Sequence, residues 1–348
     1  MSKITRLRLR EFRCFGSLEY DPGPALNFLT GANAQGKTSL LEAACVLLRL
    51  RSPRTTNLAE TLSFGSTSFS LEGMVGDTRL SLAFTPPGRA LHLDGVPQTG
   101  TADYLTKGRI VWFGNEDLML VNGPAERRRK LLDSAGLQLG GTYGRDSRDY
   151  DRALRARNLL LREGKPRREI EAYDRPLAGA GDRILSARRS LVDSLAPLAA
   201  DSCRAISGEE LELVYQPGSP SPMLEALESS RGEEIRLRQT RVGPQRDEVI
   251  LRLNGIPAGA FASEGQRRTV AVALKLAVAS LLRRENGSPP LLLLDDIFGE
   301  LDPARRNALL EGMPPDSQAF LTTADFSGIT PPPGSLVHQI AGGELRPL

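Results

Sequence analysis

The order of apolar and polar positions divides the chain into strand-like and helix-like regions. Apolar and polar residues alternate from residue 7 to residue 9, and again in short runs between residues 64 and 93. The pairs Gly76-Asp77 and Asp94-Gly95 interrupt the second region. Alternation is typical of strands and such pairs are typical of hairpin turns, so these regions predict antiparallel β-structure. Residues 145–189 predict almost continuous helix instead.

A glycine-rich segment lies between a predicted strand and a predicted helix. Residues 25–30 are an apolar run, residues 39–48 have a helical pattern, and residues 31–38 between them read GANAQGKT, which fits the phosphate-loop pattern GxxxxGK[ST]. A chance glycine-rich turn is the weaker interpretation, because a helix N-terminus at this place attracts phosphate. The predicted nucleotide ligands in this segment are Gly31, Ala32, Asn33, Ala34, Gln35, Gly36, Lys37, Thr38 and Ser39.

The residue types in this segment suit phosphate chemistry. Gly31 and Gly36 let backbone N–H groups turn toward an anion. Lys37 supplies a point charge for the β- and γ-phosphates, and Thr38 supplies a hydroxyl ligand for Mg²⁺.

An apolar strand that ends in two carboxylates is predicted at residues 291–296, which read LLLLDD. A strand that is buried on both faces of a parallel sheet has this composition, and ligands bind at the carboxyl end of such a sheet. We predict that Asp295 holds Mg²⁺ through water and that Asp296 orients or activates the attacking water. Because aspartate is a weak and short base, we expect slow hydrolysis. The alternative is a strand-end turn with solvated acids.

The segment Ser263-Glu264-Gly265-Gln266 precedes a helix that is apolar nearly all round. Ser263 and Gln266 have the spacing of a capping box, which is the structural interpretation. The same helix N-terminus can also bind an anion, and the segment lies a little upstream of the acidic strand, where ABC-type ATPases carry their signature. Ser263, Gly265 and Gln266 are therefore candidate nucleotide ligands. Residues 299–302 match the position of the D-loop in those proteins.

Composition narrows the class of protein but does not name a partner. The 348 residues carry a net charge of +3, with only six Lys among 45 basic residues, which permits nucleic-acid binding without requiring it. The odd number of isolated cysteines indicates a reducing compartment, and two distant histidines argue against a histidine metal site. There is no membrane span or signal peptide, so we expect a cytoplasmic protein.

The helical region at residues 145–189 holds thirteen Arg or Lys and eight Asp or Glu. A long charged helix pair is more often a solvated protrusion than a DNA-reading element, and that is the expectation for it.

Taken together, the motifs resemble the RecF family of bacterial recombination-mediator ATPases, which are related to SMC-type proteins. The resemblance covers nearly the whole chain, and no single middle motif is specific, but their order is. Besides the phosphate loop, it depends on LRLREFR (7–13), RSPRT (51–55), VWFGNEDLMLVNGPAERRRKLLD (111–133), YDRALRARNLLLR (150–162), YDRPLAGAGDRI (173–184), VGPQRDEV (242–249), SEGQRR (263–268), LLLLDDIFGELD (291–302) and QAFLTTAD (318–325).

The resemblance implies an α/β ABC-type ATPase head. Its first lobe is a P-loop NTPase lobe with an antiparallel β-ribbon, expected at residues 1–118 and 286–348. Its second lobe is largely helical, carries the signature and is expected at residues 119–285. ATP with Mg²⁺ would be sandwiched in an ATP-dependent homodimer. The resemblance also implies binding to DNA duplex next to single-stranded gaps, partnership with RecR, and indirect help in loading RecA.

Family positions also suggest further ligands and two departures. Arg13 matches a family residue near the nucleotide, and Glu116 lies where ABC proteins have their Q-loop, so it is a candidate metal ligand. Structural polar residues are the alternative interpretation of both. Ala34 replaces the usual glycine, which would cost strain at positive φ, and Gln245 replaces the usual histidine.

Two other classes of function stay open from the sequence. A scaffold that holds ATP but barely hydrolyses it is suggested by Asp296 in place of a glutamate. An ATPase subunit of an ABC transporter or another ABC system is a further alternative, and the N-terminal ribbon and the charged helical insert argue against the transporter.

Overall fold

The computed structural model describes residues 3–297, 301–324 and 330–348. Its contacts divide the chain into two compact units. The first comprises Met1–Asp117, Ala205–Ser207 and Val272–Leu348, and the second comprises Leu118–Arg204 and Gly208–Ala271. Gly299 and Glu300 of the expected D-loop, and Asp325 of the last family motif, lie outside the described residues.

The strands are β1 Ile4–Phe12, β2 Phe15–Tyr20, β3 Leu26–Thr30, β4 Phe69–Val75, β5 Thr78–Thr85, β6 Gly88–Leu93, β7 Val96–Pro97, β8 Ile110–Phe113, β9 Leu211–Gln216, β10 Glu248–Leu253, β11 Ile256–Pro257, β12 Leu291–Leu294, β13 Ala319–Thr323, β14 Leu336–Ala341 and β15 Glu344–Pro347. The α-helices are α1 Lys37–Arg49, α2 Ala102–Leu105, α3 Met119–Asn122, α4 Ala125–Leu139, α5 Tyr143–Arg162, α6 Arg167–Glu171, α7 Asp174–Ser207, α8 Met223–Leu237, α9 Ala258–Phe261, α10 Glu264–Asn286 and α11 Pro303–Glu311.

An antiparallel sheet of order β2-β1-β4-β5-β6-β7 forms one layer of the first unit. Val75 pairs with Thr78 around Gly76-Asp77, and Leu93 pairs with Val96 around Asp94-Gly95. The meander and both hairpin turns predicted from the sequence are therefore confirmed.

A second sheet of the first unit has the order β15-β14-β3-β13-β12-β8 and is parallel except for the pair β14 and β15. All four residues of β12 are buried, as expected for a strand that is covered on both faces. Helix α1 contacts strands of both sheets, and its apolar side chains join theirs in one hydrophobic core. β13 lies between the phosphate-loop strand β3 and the acidic strand β12, so residues at its carboxyl end are placed between the two motifs.

The second unit is mainly helical, with a small antiparallel sheet of order β11-β10-β9. Side chains from α5, α7 and α8 form its core, among them Tyr150, Leu177 and Leu227. Residues 145–189 are helical apart from short breaks, as predicted. Helix α8, at residues 223–237, did not emerge from the sequence pattern.

A buried ionic network joins the helices of this unit. Arg157, which is 0% exposed, contacts Asp174 at 2.9 Å, Glu234 at 2.7 Å and the Thr240 hydroxyl at 2.8 Å. Arg231 reaches the second oxygen of Asp174 at 2.8 Å. Because each buried charge depends on its partner, removing one of them leaves the others uncompensated.

The helix that begins at the signature segment extends to Asn286. The division by contacts falls within it, between Ala271 and Val272, whereas the sequence analysis assigned the whole helix to the second lobe. Since the helix is continuous and is apolar nearly all round from Thr269 to Leu282, the sequence offers no break at which to divide it.

Candidate nucleotide-binding site

The phosphate loop connects β3 to α1, as the sequence predicts. Its two glycines occupy conformations that side chains rarely adopt, with φ +145° at Gly31 and +108° at Gly36. A Cβ at Gly31 would lie 2.3 Å from the carbonyl oxygen of Ile340, and one at Gly36 would lie 2.7 Å from Cys14 Sγ. Glycine is thus required at both positions by the backbone and by its neighbours.

Ala34 has φ +65°. The departure from glycine at this position therefore does place an alanine in the left-handed region, which costs about 1–2 kcal/mol. Ala32, Asn33 and Ala34 are exposed at the tip of the loop, and Ser39 is half-buried on the first turn of α1.

Lys37 lies along the inside of the loop. Its Nζ donates to the carbonyl oxygens of Gly31 at 2.6 Å and Ala32 at 3.0 Å, and the residue is buried. The ammonium group is thus held where the loop turns, at the position the motif assigns to phosphate.

The loop and the acidic strand meet at Thr38. Its hydroxyl donates to Asp295 Oδ1 at 2.8 Å, and the hydroxyl of Thr322 on β13 donates to the same oxygen at 3.0 Å. Residues more than 250 positions apart are thereby brought into one cluster. Thr322 was missed by the sequence analysis, because nothing in its local pattern marks it; only the strand order places it there.

The Asp295 carboxyl is suited to a cation. Burial raises its pKa above the ordinary value, while the hydrogen bonds from Thr38 and Thr322 act in the opposite direction. A hydroxyl that donates its hydrogen keeps its lone pairs, so Thr38 can ligate an ion while bonded to Asp295. The described residues hold no group of three or more His, Cys, Asp or Glu that could bind a metal.

Asp296 follows with φ +56°, and its N–H donates to Thr322 Oγ1 at 2.8 Å. Aspartate tolerates the left-handed region better than most residues, but the turn is still strained. The single hydroxyl of Thr322 therefore fixes both members of the carboxylate pair.

Glu116 lies in the short 3-10 helix Asn115–Leu118 that follows β8. Asp295 N–H donates to Phe113 O at 2.9 Å, so this helix follows the strand next to the acidic one, at the same edge of the sheet. Glu116 is exposed, while its neighbour Asp117 is held by Lys275 Nζ at 2.7 Å and by the Gly114 N–H at 2.9 Å. The role of Glu116 as a metal ligand stays a prediction.

Arg13 has a structural role of the kind that the sequence analysis gave as the alternative interpretation. Its guanidinium donates to both oxygens of the fully buried Glu42 at 2.9 and 2.7 Å, and to Glu60 O at 2.6 Å. Its donors are thus engaged within the first unit, and nucleotide binding by Arg13 stays a prediction. Arg54 is half-exposed and lies 3.5 Å from Glu42. Its positive charge acts to lower the pKa of Asp295, against the larger effect of burial.

The C-terminal hairpin of β14 and β15 supports the loop from one side. Its turn residue Gly342 donates its N–H to Gln35 Oε1 at 2.7 Å, and the Ile340 carbonyl packs against Gly31. The sequence analysis did not anticipate this hairpin.

The signature segment, in the second unit, forms the capping box that its sequence predicts. Ser263 N–H donates to Gln266 Oε1 at 2.8 Å, and Gln266 N–H donates to Ser263 Oγ at 3.3 Å. Gln266 Nε2 also donates to Glu209 at 2.7 Å. Ser263 remains exposed, whereas Gly265 is half-buried, so a ligand could reach the serine hydroxyl. Nucleotide binding by Ser263, Gly265 and Gln266 stays a prediction.

Gln245, the departure from the family histidine, has a defined place. Its Oε1 accepts the Tyr150 hydroxyl, and its Nε2 donates to Val242 O at 2.9 Å. The amide therefore serves as a structural link between α5 and the turn before β10.

Among the described residues, no helix is both long and apolar enough to cross a bilayer.

Comparison with known proteins extends these observations. A family model described as an AAA domain matches residues 6–91. A DNA replication and repair protein RecF from Anaeromyxobacter sp. (strain Fw109-5) is 39% identical, and the match covers 99% of this chain and 99% of that protein. A RecF of Moorella thermoacetica (strain ATCC 39073 / JCM 9320) is 37% identical, covering 94% and 91%.

Solved structures agree with the sequence relatives. A structure of the recombination mediator protein RecF-ATPrS in the RecFOR pathway has a TM-score of 0.91 at 27% identity, covering 99% of this chain and 98% of that one. An SmcHead crystal structure has a TM-score of 0.58 at 14% identity, which shows a shared fold alone. The expected ABC-type ATPase fold is thereby confirmed.

Proposed function

The chain belongs to the RecF family of DNA replication and repair proteins, and on that premise we propose that it is an ATP-switched DNA-binding protein of recombinational repair and replication restart. ATP with Mg²⁺ binds at the phosphate loop of one copy and is closed over by Ser263 and Gly265 of a second copy. The dimer holds DNA duplex next to single-stranded gaps, and acts with RecR to help load RecA. The protein works in the cytoplasm.

The observation that carries this proposal is the contact between Thr38 Oγ1 and Asp295 Oδ1 at 2.8 Å. It brings the two motifs of a metal-assisted phosphate site together. When bound, Mg²⁺ would neutralise charge on the phosphates. The Thr38 hydroxyl would bind the ion directly, and Asp295 would hold it through water. Lys37 would exchange two carbonyl oxygens for phosphate oxygens, which are stronger acceptors.

Slow hydrolysis follows from the base. Asp296 has one methylene fewer than glutamate, so its carboxylate reaches less far, and a carboxylate is a weak base. A slow ATPase is suited to a switch, because the closed dimer then persists for as long as ATP does.

The test of the switch is the ATP-induced dimer. We expect Lys37→Ala to abolish ATP-dependent dimerisation in sedimentation velocity, because the charge that binds the phosphates is lost. Lys107→Ala is the matched control, since Lys107 is an exposed lysine of the first unit. An unchanged ATP-induced dimer in the Lys37 variant would contradict the shared site.

The proposed DNA activity has its own measurement. Affinity for gapped duplex should rise with ATP and fall steeply with salt, because phosphate contacts dominate. An affinity for DNA that does not change between low and high salt would count against it. Retention of RecR by the ATP-bound protein, and not by the Lys37 variant, tests the partner.

A second candidate function is a scaffold that binds ATP and DNA with negligible hydrolysis. The strained, short Asp296 favours it. Single-turnover hydrolysis separates the two, since a slow ATPase loses activity in Asp296→Asn, whereas a scaffold gives equal, near-zero rates in both proteins.

A further inference from the structure

One face of α5 carries arginines at every turn. The residues that share this face are Arg145, Arg148, Arg152, Arg155, Leu159 and Arg162, and all of them are exposed. Their spacing of three or four residues keeps them within about 100° of arc around the helix. Over 17 residues, at about 1.5 Å per residue, they form a stripe about 25 Å long. We call this set the α5 stripe.

The α5 stripe has few close acidic partners. Some basic side chains on other helices pair with an acid one turn away, as in Lys130–Glu126 at 2.7 Å, Arg167–Glu171 at 2.6 Å and Arg268–Glu264 at 2.7 Å. Within the described residues, the only ion pair of the stripe joins Arg152 to Asp149, and its distance of 4.0 Å is the longest of those found.

The scarcity of acidic partners leaves the arginines of the stripe to repel one another. Like charges one turn apart destabilise a helix. Arg145, Arg148, Arg152 and Arg155 are successive neighbours of this kind, so they repel one another in the free protein. A ligand with evenly spaced negative charges would relieve this repulsion and attract the arginines.

The chemistry of the stripe selects the phosphates of a duplex. Guanidinium groups bind phosphate oxygens in pairs and remain charged at all relevant pH. Single-stranded nucleic acid is usually held by aromatic stacking as well, but the tyrosines of α5, Tyr143 and Tyr150, are buried. Leu159 is the one apolar residue of the stripe, half-exposed in a row of cations.

We propose that the α5 stripe is a duplex-DNA surface whose arginines contact the phosphate backbone. This rests on the proposed function and adds the side chains that perform it. It replaces the expectation that this charged region is only a solvated protrusion, because five exposed arginines share one face of α5 and, within the described residues, only one of them has an ion pair.

The experiment compares two triple variants with the same change of charge. Arg148→Gln/Arg152→Gln/Arg155→Gln removes the centre of the stripe, and glutamine keeps a good helix propensity. The control removes three exposed arginines elsewhere, Arg204→Gln/Arg252→Gln/Arg284→Gln. Binding of each full-length protein, with ATP, to a labelled duplex is measured by fluorescence anisotropy between about 50 and 200 mM salt. Circular dichroism checks that both variants are folded.

Each phosphate contact contributes about 0.9 to the slope of log affinity against log salt. We expect the slope to fall in magnitude by about 2.7 in the stripe variant and to stay within about 1 of wild type in the control. Equal slopes in wild type and stripe variant overturn this inference alone, as do equal losses in both variants. Retained duplex binding with lost binding of a partner protein would make the stripe a protein-docking surface and also overturn it. A wild-type protein that binds no duplex overturns the proposed function itself.

Discussion

Replacing Thr322 by valine removes one hydroxyl and keeps the volume of the side chain. The hydroxyl donates to Asp295 Oδ1 at 3.0 Å and accepts the Asp296 N–H at 2.8 Å, and Thr322 is 1% exposed. Valine therefore removes one of two hydroxyl donors from the half-buried Asp295 carboxylate and leaves the N–H of the half-buried Asp296 without its acceptor.

The magnitude follows from these two losses. A hydrogen bond to a charged group contributes about 1.5–3 kcal/mol, and a buried N–H without a partner costs about 1–3 kcal/mol. Because the two losses share one atom and the site can relax, we expect Thr322→Val to lower the free energy of unfolding of the first unit by about 3 kcal/mol. Thr322→Ser keeps the hydroxyl and loses one methyl group, which costs about 1 kcal/mol.

Two assays measure the two hydrogen bonds of this hydroxyl, one with the Asp296 N–H and one with the Asp295 carboxylate. Amide hydrogen exchange of the peptide that contains Asp296 should accelerate in the valine variant and return near wild type with serine. The loss of a donor also raises the pKa of Asp295 further, so the Mg²⁺ concentration needed for ATP binding should rise, most of all at acidic pH. Valine and serine variants that behave alike in both assays would refute the positioning role.

Three further predictions concern stability. Arg157→Met removes the guanidinium that pairs with two buried carboxylates, and it should lower the free energy of unfolding of the second unit by about 3–5 kcal/mol in chemical denaturation. The exposed control Arg168→Met should change this free energy by less than about 0.5 kcal/mol. Ala34→Gly should leave the melting temperature unchanged or raise it, because relief of strain offsets the added freedom of the unfolded chain. Gly31→Ala should lower the melting temperature and reduce the free energy of unfolding by at least about 2 kcal/mol, because the new Cβ would lie 2.3 Å from a backbone oxygen. Burial raises the pKa of Asp295, so the stability contributed by its neutral form is present at low pH and is lost as pH rises through that raised pKa. Mg²⁺ with ATP should therefore raise the melting temperature more near pH 7 than near pH 4, and equal shifts would contradict the assignment.

The elements that the sequence could predict are those whose pattern is local. Three patterns are each complete within ten residues, and the structure has all three. They are the phosphate loop, the four buried leucines of β12 and the capping box at Ser263. Residues that act through long-range contacts could not be found in this way. Thr322 resembles any strand threonine until β13 is known to lie between β3 and β12.

Arg13 has a structural role besides the nucleotide role that its motif position predicts. A family position near nucleotide suggests a ligand, but in this chain the guanidinium holds the buried Glu42 of α1, which also accepts Ser52 Oγ at 2.5 Å. A carboxylate that is 0% exposed requires such a partner. Nucleotide binding by Arg13 therefore stays a prediction beside this structural role.

The groups expected to bind nucleotide are already hydrogen-bonded within the chain. Lys37 donates to two loop carbonyls, Thr38 donates to Asp295, and Ser263 Oγ accepts the Gln266 N–H. Binding must exchange these bonds and not simply add to them, so each contact contributes only a difference. For Lys37 the exchange is favourable, because an anionic phosphate oxygen attracts the ammonium group more strongly than a neutral carbonyl oxygen does. A serine hydroxyl that accepts one bond can still donate its own hydrogen. In the proposed dimer, the phosphate loop would therefore supply the affinity in one copy, and the signature serine would add a contact only when a second copy closes.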